Sequence, residues 1–286
     1  MFTHVHDLQY EAKPNGPDPA FARRFQEVLG GKWGEMTVAM QYLYQGWNCR
    51  LPGKYKDMLL DIGTEELAHV EMITTMIDRL LNAAPMSTDE IKGDTLTAQY
   101  ATMNPQHSIV NGGGAYPFDS NGVPWSGAYI TASGNLLADF HLNATAEMQG
   151  RLQVARLWHM TDDTGVRDLL KFLLTRDHMH QNMWLAAIEE LKSDGLDNVP
   201  VPEAFDLDNE LEEFQYLYVH ASDGADAING RWASGPAPDG GGEFTVQETL
   251  VAHGSRPTLP PGDPRLYGTP PTDPKTMLGK VKDALT

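Results

Sequence analysis

A carboxylate and a histidine three residues apart occur twice in this chain, as Glu66-x-x-His69 and Asp177-x-x-His180, each inside a stretch with helical periodicity. Residues three apart share a helical face, so either pair can hold one cation between an oxygen and an imidazole nitrogen. Two more helical stretches each contribute one acid in apolar surroundings: Glu35 beside Trp33, Met36 and Val38, and Glu147 within Asn143-Ala-Thr-Ala-Glu-Met148. A charged carboxylate facing a core needs a counter-charge. Lys and Arg are scarce beside these positions, which leaves metal as the economical partner. One Glu on each of two helices, with an acid-x-x-His on each of the other two, is the plan of dimetal sites inside four-helix bundles. The joint pattern is far more specific than any one of its pieces.

The boundaries of those helices are legible. The first is expected from Pro19 to Asn48, with Asp18 as N-cap, Pro19 at the first helical position and an interruption at Gly30-Gly31 that marks a kink or a close helix contact. The second is expected from Lys54 to Ala83, the third from Ser133 to Met160, and the fourth from Val166 to Ser193, capped by Asp163 or Thr164. Between the second and third lies a Gly- and Pro-rich crossover, roughly 84–132, of the length needed when two helices run in the same direction. The expected organisation is an all-α bundle over 1–194, followed by an extended, loop-rich C-terminal tail over 195–286. Phe214 to Val219 is expected to form a short strand or extended segment. The tail's Pro- and Gly-rich composition leaves little for a core of its own, so it is expected to pack on the bundle or on neighbouring subunits.

The formal net charge of −18 argues against a nucleic-acid partner, since phosphate binding needs clustered Lys and Arg. No run of about 18 apolar residues occurs, and the N-terminus lacks the pattern of a secretory signal, so no membrane partner is expected. The single cysteine, Cys49, excludes an intramolecular disulfide and a thiolate zinc site, and fits a cytoplasmic location.

Blander readings apply to several neighbours of the motifs. Glu65 lies roughly 100° round the helix from Glu66 and reads as a solvated side chain. His178 cannot share a face with both Asp177 and His180. His4, His6, His107, His141, His159, His220 and His253 have no matching carboxylate pattern, and Met36, Met40, Met72 and Met76 read as core filling. Tyr42, two turns from Glu35 on the same face, reads equally as a hydrogen-bond donor to the site and as a core residue.

These motifs, together with Leu8-Gln-Tyr10, Gly30-Gly-Lys-Trp-Gly-Glu35, Glu65-Glu-Leu-Ala-His-Val-Glu-Met72, Asn104-Pro-Gln-His107, Ser133-Gly-Asn135, Arg151-Leu-Gln-Val154 and Gly165-Val-Arg-Asp-Leu-Leu-Lys-Phe172, resemble those of the manganese catalases over nearly the whole chain. The resemblance implies a ferritin-like bundle and a dimanganese centre with bridging solvent that disproportionates hydrogen peroxide by two-electron cycling. It implies Glu66 as the bridge between the ions, Glu35 and His69 on one, and Glu147 and His180 on the other. Asp177 stands where relatives place a Glu acting as base, and Ala146 stands where some place an Arg. A homo-hexamer is implied, as is a calcium site between subunits built from Asp57, Asp61, His220, Ser222 and Gly224, with His220 in place of an Asn.

Two rival readings remain open on the residues alone. A diiron oxidase or peroxide reductase would use the same ligand types. A non-enzymatic coat or scaffold protein would retain the bundle without the chemistry.

Overall fold

A computed structural model describes residues 5–51, 53–82, 109–196, 210–221, 223–247, 251, 254–260 and 262–263. The chain divides into two compact units, Met1–Phe205 and Asp206–Thr286.

The first unit is a four-helix bundle. Its first rod is two helices, α1 (Pro19–Gly30) and α2 (Glu35–Asn48). The other rods are α3 (Gly53–Leu81), α4 (Leu136–His159) and α5 (Thr164–Ser193). The starts follow capping chemistry. Asp18 accepts from the Phe21 N–H, Asn135 from Ala138 and Asp163 from Val166, each satisfying an otherwise orphaned helical donor.

The interruption expected at Gly30-Gly31 is a complete break. Gly31 is extended (φ −69°, ψ 169°), and a Cβ on Gly30 would lie 2.6 Å from the backbone of Phe118, part of the crossover. The crossover thus seats directly on the glycine backbone. Gln26, fully buried, fixes it there: its amide donates to the Tyr116 carbonyl at 2.7 Å and the Phe118 carbonyl at 2.8 Å, and accepts from the Tyr116 N–H. Farther along, the Trp125 indole donates to Thr37 Oγ1 at 3.0 Å, and the Thr131 backbone bonds to both Gln41 and Gln45. Over residues 116–131, buried helix side chains take up backbone polar groups of the crossover.

Two apolar clusters fill the bundle. One joins α1, the C-terminal half of α3, the end of α4 and the start of α5, around Phe21, Phe25, Met72, Met76, Val154 and Leu169. The other joins α2, the start of α3, the start of α4 and the end of α5, around Tyr42, Tyr55, Ile62, Phe140, Ala146 and Trp184. Along each rod the acids and histidines of interest fall between residues of the two clusters. A polar layer therefore crosses the middle of an otherwise apolar interior.

The second unit holds a one-turn helix, α6 (Glu212–Gln215), and three short strands, β1 (Leu217–Val219), β2 (Gly235–Pro236) and β3 (Glu243–Gln247). Their order is β1-β3-β2; β1 runs parallel to β3, and β2 antiparallel. Its buried hydrophobic residues, among those described, are Ala233 and Ala237.

Candidate metal centre

Each rod delivers its acid to the same level of the bundle. The break after Gly30 starts α2 at Glu35, which puts this carboxylate on the first turn of a helix, where the macrodipole favours negative charge. Glu66 and His69 project from one face of α3, Glu147 from α4, and Asp177 and His180 from α5. All six are buried, none more than 6% exposed.

Two donor trios result. Glu35, Glu66 and His69 bring one ligand atom each within 4.8 Å of one another, and so do Glu66, Glu147 and His180. Glu66 belongs to both. Its Oε2 lies 2.7 Å from His69 Nδ1 and its Oε1 lies 2.7 Å from His180 Nδ1, so each oxygen addresses a different imidazole. Glu35 Oε2 is 3.5 Å from His69 Nδ1. The two imidazole rings stack with centroids 5.8 Å apart.

The electrostatics are those of a site that needs cations. Burial and the Glu66 charge push the Glu35 carboxyl up to about 8. Burial, followed by the charges of Glu66 and Asp177, holds Glu147 well above the usual carboxylate range. Asp177 is raised likewise by burial and by Glu35 and Glu66. Burial also works against ionised Glu66, but the flanking His69 and His180 outweigh it and keep Glu66 below the usual range. Burial alone would depress both histidines; Glu66 reverses that, and with Glu65 lifts His180 to about 10. Without a cation, these groups share protons in place of one.

Buried polar atoms without a hydrogen bond concentrate at this level: Glu66 Oε2, both nitrogens of His69 and Asp177 Oδ1. The Glu66–His69 pair is close but out of hydrogen-bond alignment, as expected when both lone pairs aim at a shared third point. The donor set of carboxylates and imidazoles suits manganese or iron, and it fits a two-ion centre in number and in placement.

Tyr42 is both of the things its spacing allowed. Its ring is fully buried against Trp184, with centroids 4.8 Å apart, and its hydroxyl donates to Glu147 Oε1 at 2.6 Å. The Trp184 indole donates to the same oxygen at 3.3 Å. His178 is exposed, in keeping with its exclusion from the motif.

Glu65 contradicts the reading as a solvated side chain. Its carboxylate forms a fork with Arg176 (2.6 and 3.0 Å) and lies 3.0 Å from His180 Nε2. Hydrogen bonds from His180 and Arg176, with the His69 ring close by, outweigh its partial burial and hold it below the usual carboxylate range. The reason is interhelical: Arg176 precedes Asp177 just as Glu65 precedes Glu66, so the same rotation round two facing helices brings the two together. Opposite charges one residue ahead of each motif were the available signal.

Asp57 and Asp61 are exposed one turn apart on α3, and no donor trio among the described residues includes them. In the second unit His220 Nε2 is 2.8 Å from the Gly224 carbonyl. Ser222 lies outside the described residues, as do His4, His107, His253 and the Asn104–His107 motif.

Comparison with known proteins decides among centres of this geometry. The sequence profile of the manganese-containing catalases matches residues 1–284. The chain belongs to the manganese catalase family. A manganese catalase of Bacillus subtilis is 52% identical over 273 residues, covering 95% of this chain and 99% of that protein. One from Lactiplantibacillus plantarum is 47% identical over 270 residues, covering 93% and 98%. The crystal structure of KatB, a manganese catalase from Anabaena, matches with a TM-score of 0.67 at 27% identity, over 87% of this chain and 100% of that one. The ferritin-like helical bundle of the manganese catalases is thus the fold of this chain. Among the described residues, no helix is long and apolar enough to cross a membrane.

Proposed function

We propose that this member of the manganese catalase family disproportionates hydrogen peroxide to water and dioxygen at two manganese ions, with Glu35 and His69 holding one, Glu147 and His180 the other, and Glu66 both. The observation that carries this reading is the pair of buried donor trios sharing Glu66. When bound, the manganese pair and its bridging solvent supply the two-electron capacity that lets one peroxide be reduced and the next oxidised.

The chain's own residues supply the rest. The two apolar clusters flank the polar layer and limit what reaches it. Tyr42 and Trp184 hold the Glu147 carboxylate in place by donating to its Oε1. Asp177 is the proposed base. Its Oδ1 is buried without a hydrogen-bond partner, so it can take a proton from peroxide and return it to the departing water. Aspartate is one methylene shorter than glutamate, which leaves room for a water between it and the centre. Ala146 is packed into the second apolar cluster with Tyr42 and Trp184, so no positive charge stands at that position.

A homo-hexamer and, between its subunits, a calcium site drawing on Asp57, Asp61, His220, Ser222 and Gly224 complete the proposal on family resemblance, and a cytoplasmic location on the cysteine content. The lone Cys49 agrees with a reducing compartment. Light scattering and calcium analysis of the purified protein test both.

The function itself is tested on protein from manganese-supplemented cells, by metal analysis and by oxygen evolution from peroxide without added reductant. Two manganese per chain with sustained oxygen release is expected. Peroxide loss that requires a reductant would favour the diiron reading, and metal without oxygen the scaffold.

A further inference from the structure

Both histidines of the centre turn Nδ1 inward to Glu66, which leaves their Nε2 atoms facing outward. One carboxylate meets both. Glu65 Oε2 lies 3.0 Å from His180 Nε2, and Glu65 Oε1 lies 3.8 Å from His69 Nε2. We propose that Glu65 is an outer anchor of the centre, holding His180 in the tautomer with Nε2–H and standing against the outer edge of His69, and that Arg176 and Gln9 keep it in place. The proposal rests on the dimanganese reading and deepens it.

The geometry supplies each step. A carboxylate accepting from Nε2–H leaves the Nδ1 lone pair for a metal, and such partners orient the ring and raise its basicity. Glu65 could not do this if it rotated freely. Arg176 grips it through Nε on Oε1 (2.6 Å) and Nη2 on Oε2 (3.0 Å), a two-point fork that fixes the carboxylate plane. Gln9 Nε2 donates to Oε1 at 2.8 Å.

Gln9 belongs to Leu8-Gln9-Tyr10, a motif with no place in the chemistry so far. Its neighbour Tyr10 stacks on Phe172 with centroids 4.5 Å apart and planes 7° from parallel, and the Tyr10 N–H points at Met72 Sδ. Phe172 in turn meets the His69 ring edge-on at 6.2 Å. The N-terminal strap therefore presses on the outer side of the centre through two adjacent residues, one polar and one aromatic.

The anchor is asymmetric, because His180 is at hydrogen-bond distance and His69 is not. Loss of Glu65 is expected to loosen the ion held by Glu147 and His180 before the other.

The test compares manganese-loaded wild type with Glu65→Ala, Glu65→Gln and Gln9→Ala, with Glu189→Gln as an exposed control on α5. Manganese loss to a chelator and the electron paramagnetic resonance spectrum of the manganese pair are followed. Glu65→Ala is expected to lose manganese roughly ten- to a hundredfold faster, in two phases, with an altered spectrum. Glu65→Gln, whose amide oxygen can still accept from one imidazole, is expected to fall between, and Gln9→Ala nearer to wild type. Wild-type loss rates and spectra in both Glu65 variants would overturn the anchor while leaving the dimanganese reading intact. Wild type that holds no manganese would overturn that reading and the anchor with it. If Glu65→Ala does not fold, Arg176→Gln and Gln9→Ala must both speed manganese loss; wild-type rates in both would sink the proposal.

Discussion

At the scale of residues, Glu147 Oε1 takes donors from Tyr42 and Trp184 while the surrounding interior is apolar. Removing the shorter bond with Tyr42→Phe keeps the ring packed but withdraws one donor from a buried carboxylate. A loss of roughly 1–3 kcal/mol is expected for such a change, read by thermal unfolding, together with faster manganese release from the metal-loaded protein. Asp177 makes a separate prediction. Asp177→Asn keeps the shape and removes the base, so turnover is expected to fall by roughly 10²–10⁴ with manganese content unchanged. Full activity in a fully loaded Asp177→Asn enzyme would exclude the proton-transfer role. The acid-x-x-His spacing made Glu66, His69, Asp177 and His180 legible, because a three-residue step maps directly onto one helical face. Glu65 was not legible on that basis: its partner Arg176 comes from a different helix, and the sequence of α3 alone carries no record of it.

At the scale of elements, the caps of the first and last rods were readable because capping is local, whereas the third helix, expected from Ser133, starts at Leu136 behind its cap Asn135, and the fourth, expected from Val166, starts at Thr164. Asp18, Pro19 and Asp163 act where the sequence placed them. The broken first rod was not readable as a break. Gly30-Gly31 signals a kink or a close contact, and the Phe118 backbone of the crossover packs where a Cβ of residue 30 would stand. The consequence is functional, since the break begins α2 at Glu35. Gly30→Ala is therefore expected to cost about 1–3 kcal/mol, the range for overpacking against a backbone that cannot easily move. It is also expected to shift Glu35 and lower manganese occupancy. Chemical denaturation and metal analysis of the same preparation check both parts, and a variant as stable as wild type would contradict the close packing described.

At the scale of the whole molecule, the acids of the centre bind the bundle's folding to pH and to metal. In the metal-free protein Glu35 has a folded value of about 8, above its ordinary 4.5, and His180 about 10, above 6.5. Groups raised in this way favour folding while protonated. Their contribution is complete below the ordinary values and is lost as pH rises through the folded ones. Glu66 is shifted the other way, and its contribution is lost only at acid pH, below this window. The melting temperature of the metal-free protein is therefore expected to fall between about pH 6 and pH 9, and metal loading is expected to release protons and flatten that slope. A metal-free protein whose melting temperature rises over that range would contradict the assignment of the protons. The central claim, that one carboxylate joins two metal positions in the core of the bundle, is tested most directly by anomalous diffraction at the manganese edge from crystals of the loaded protein. Two manganese peaks are predicted, both against Glu66, one with Glu35 and His69 and the other with Glu147 and His180. A single peak, or peaks away from Glu66, would contradict it.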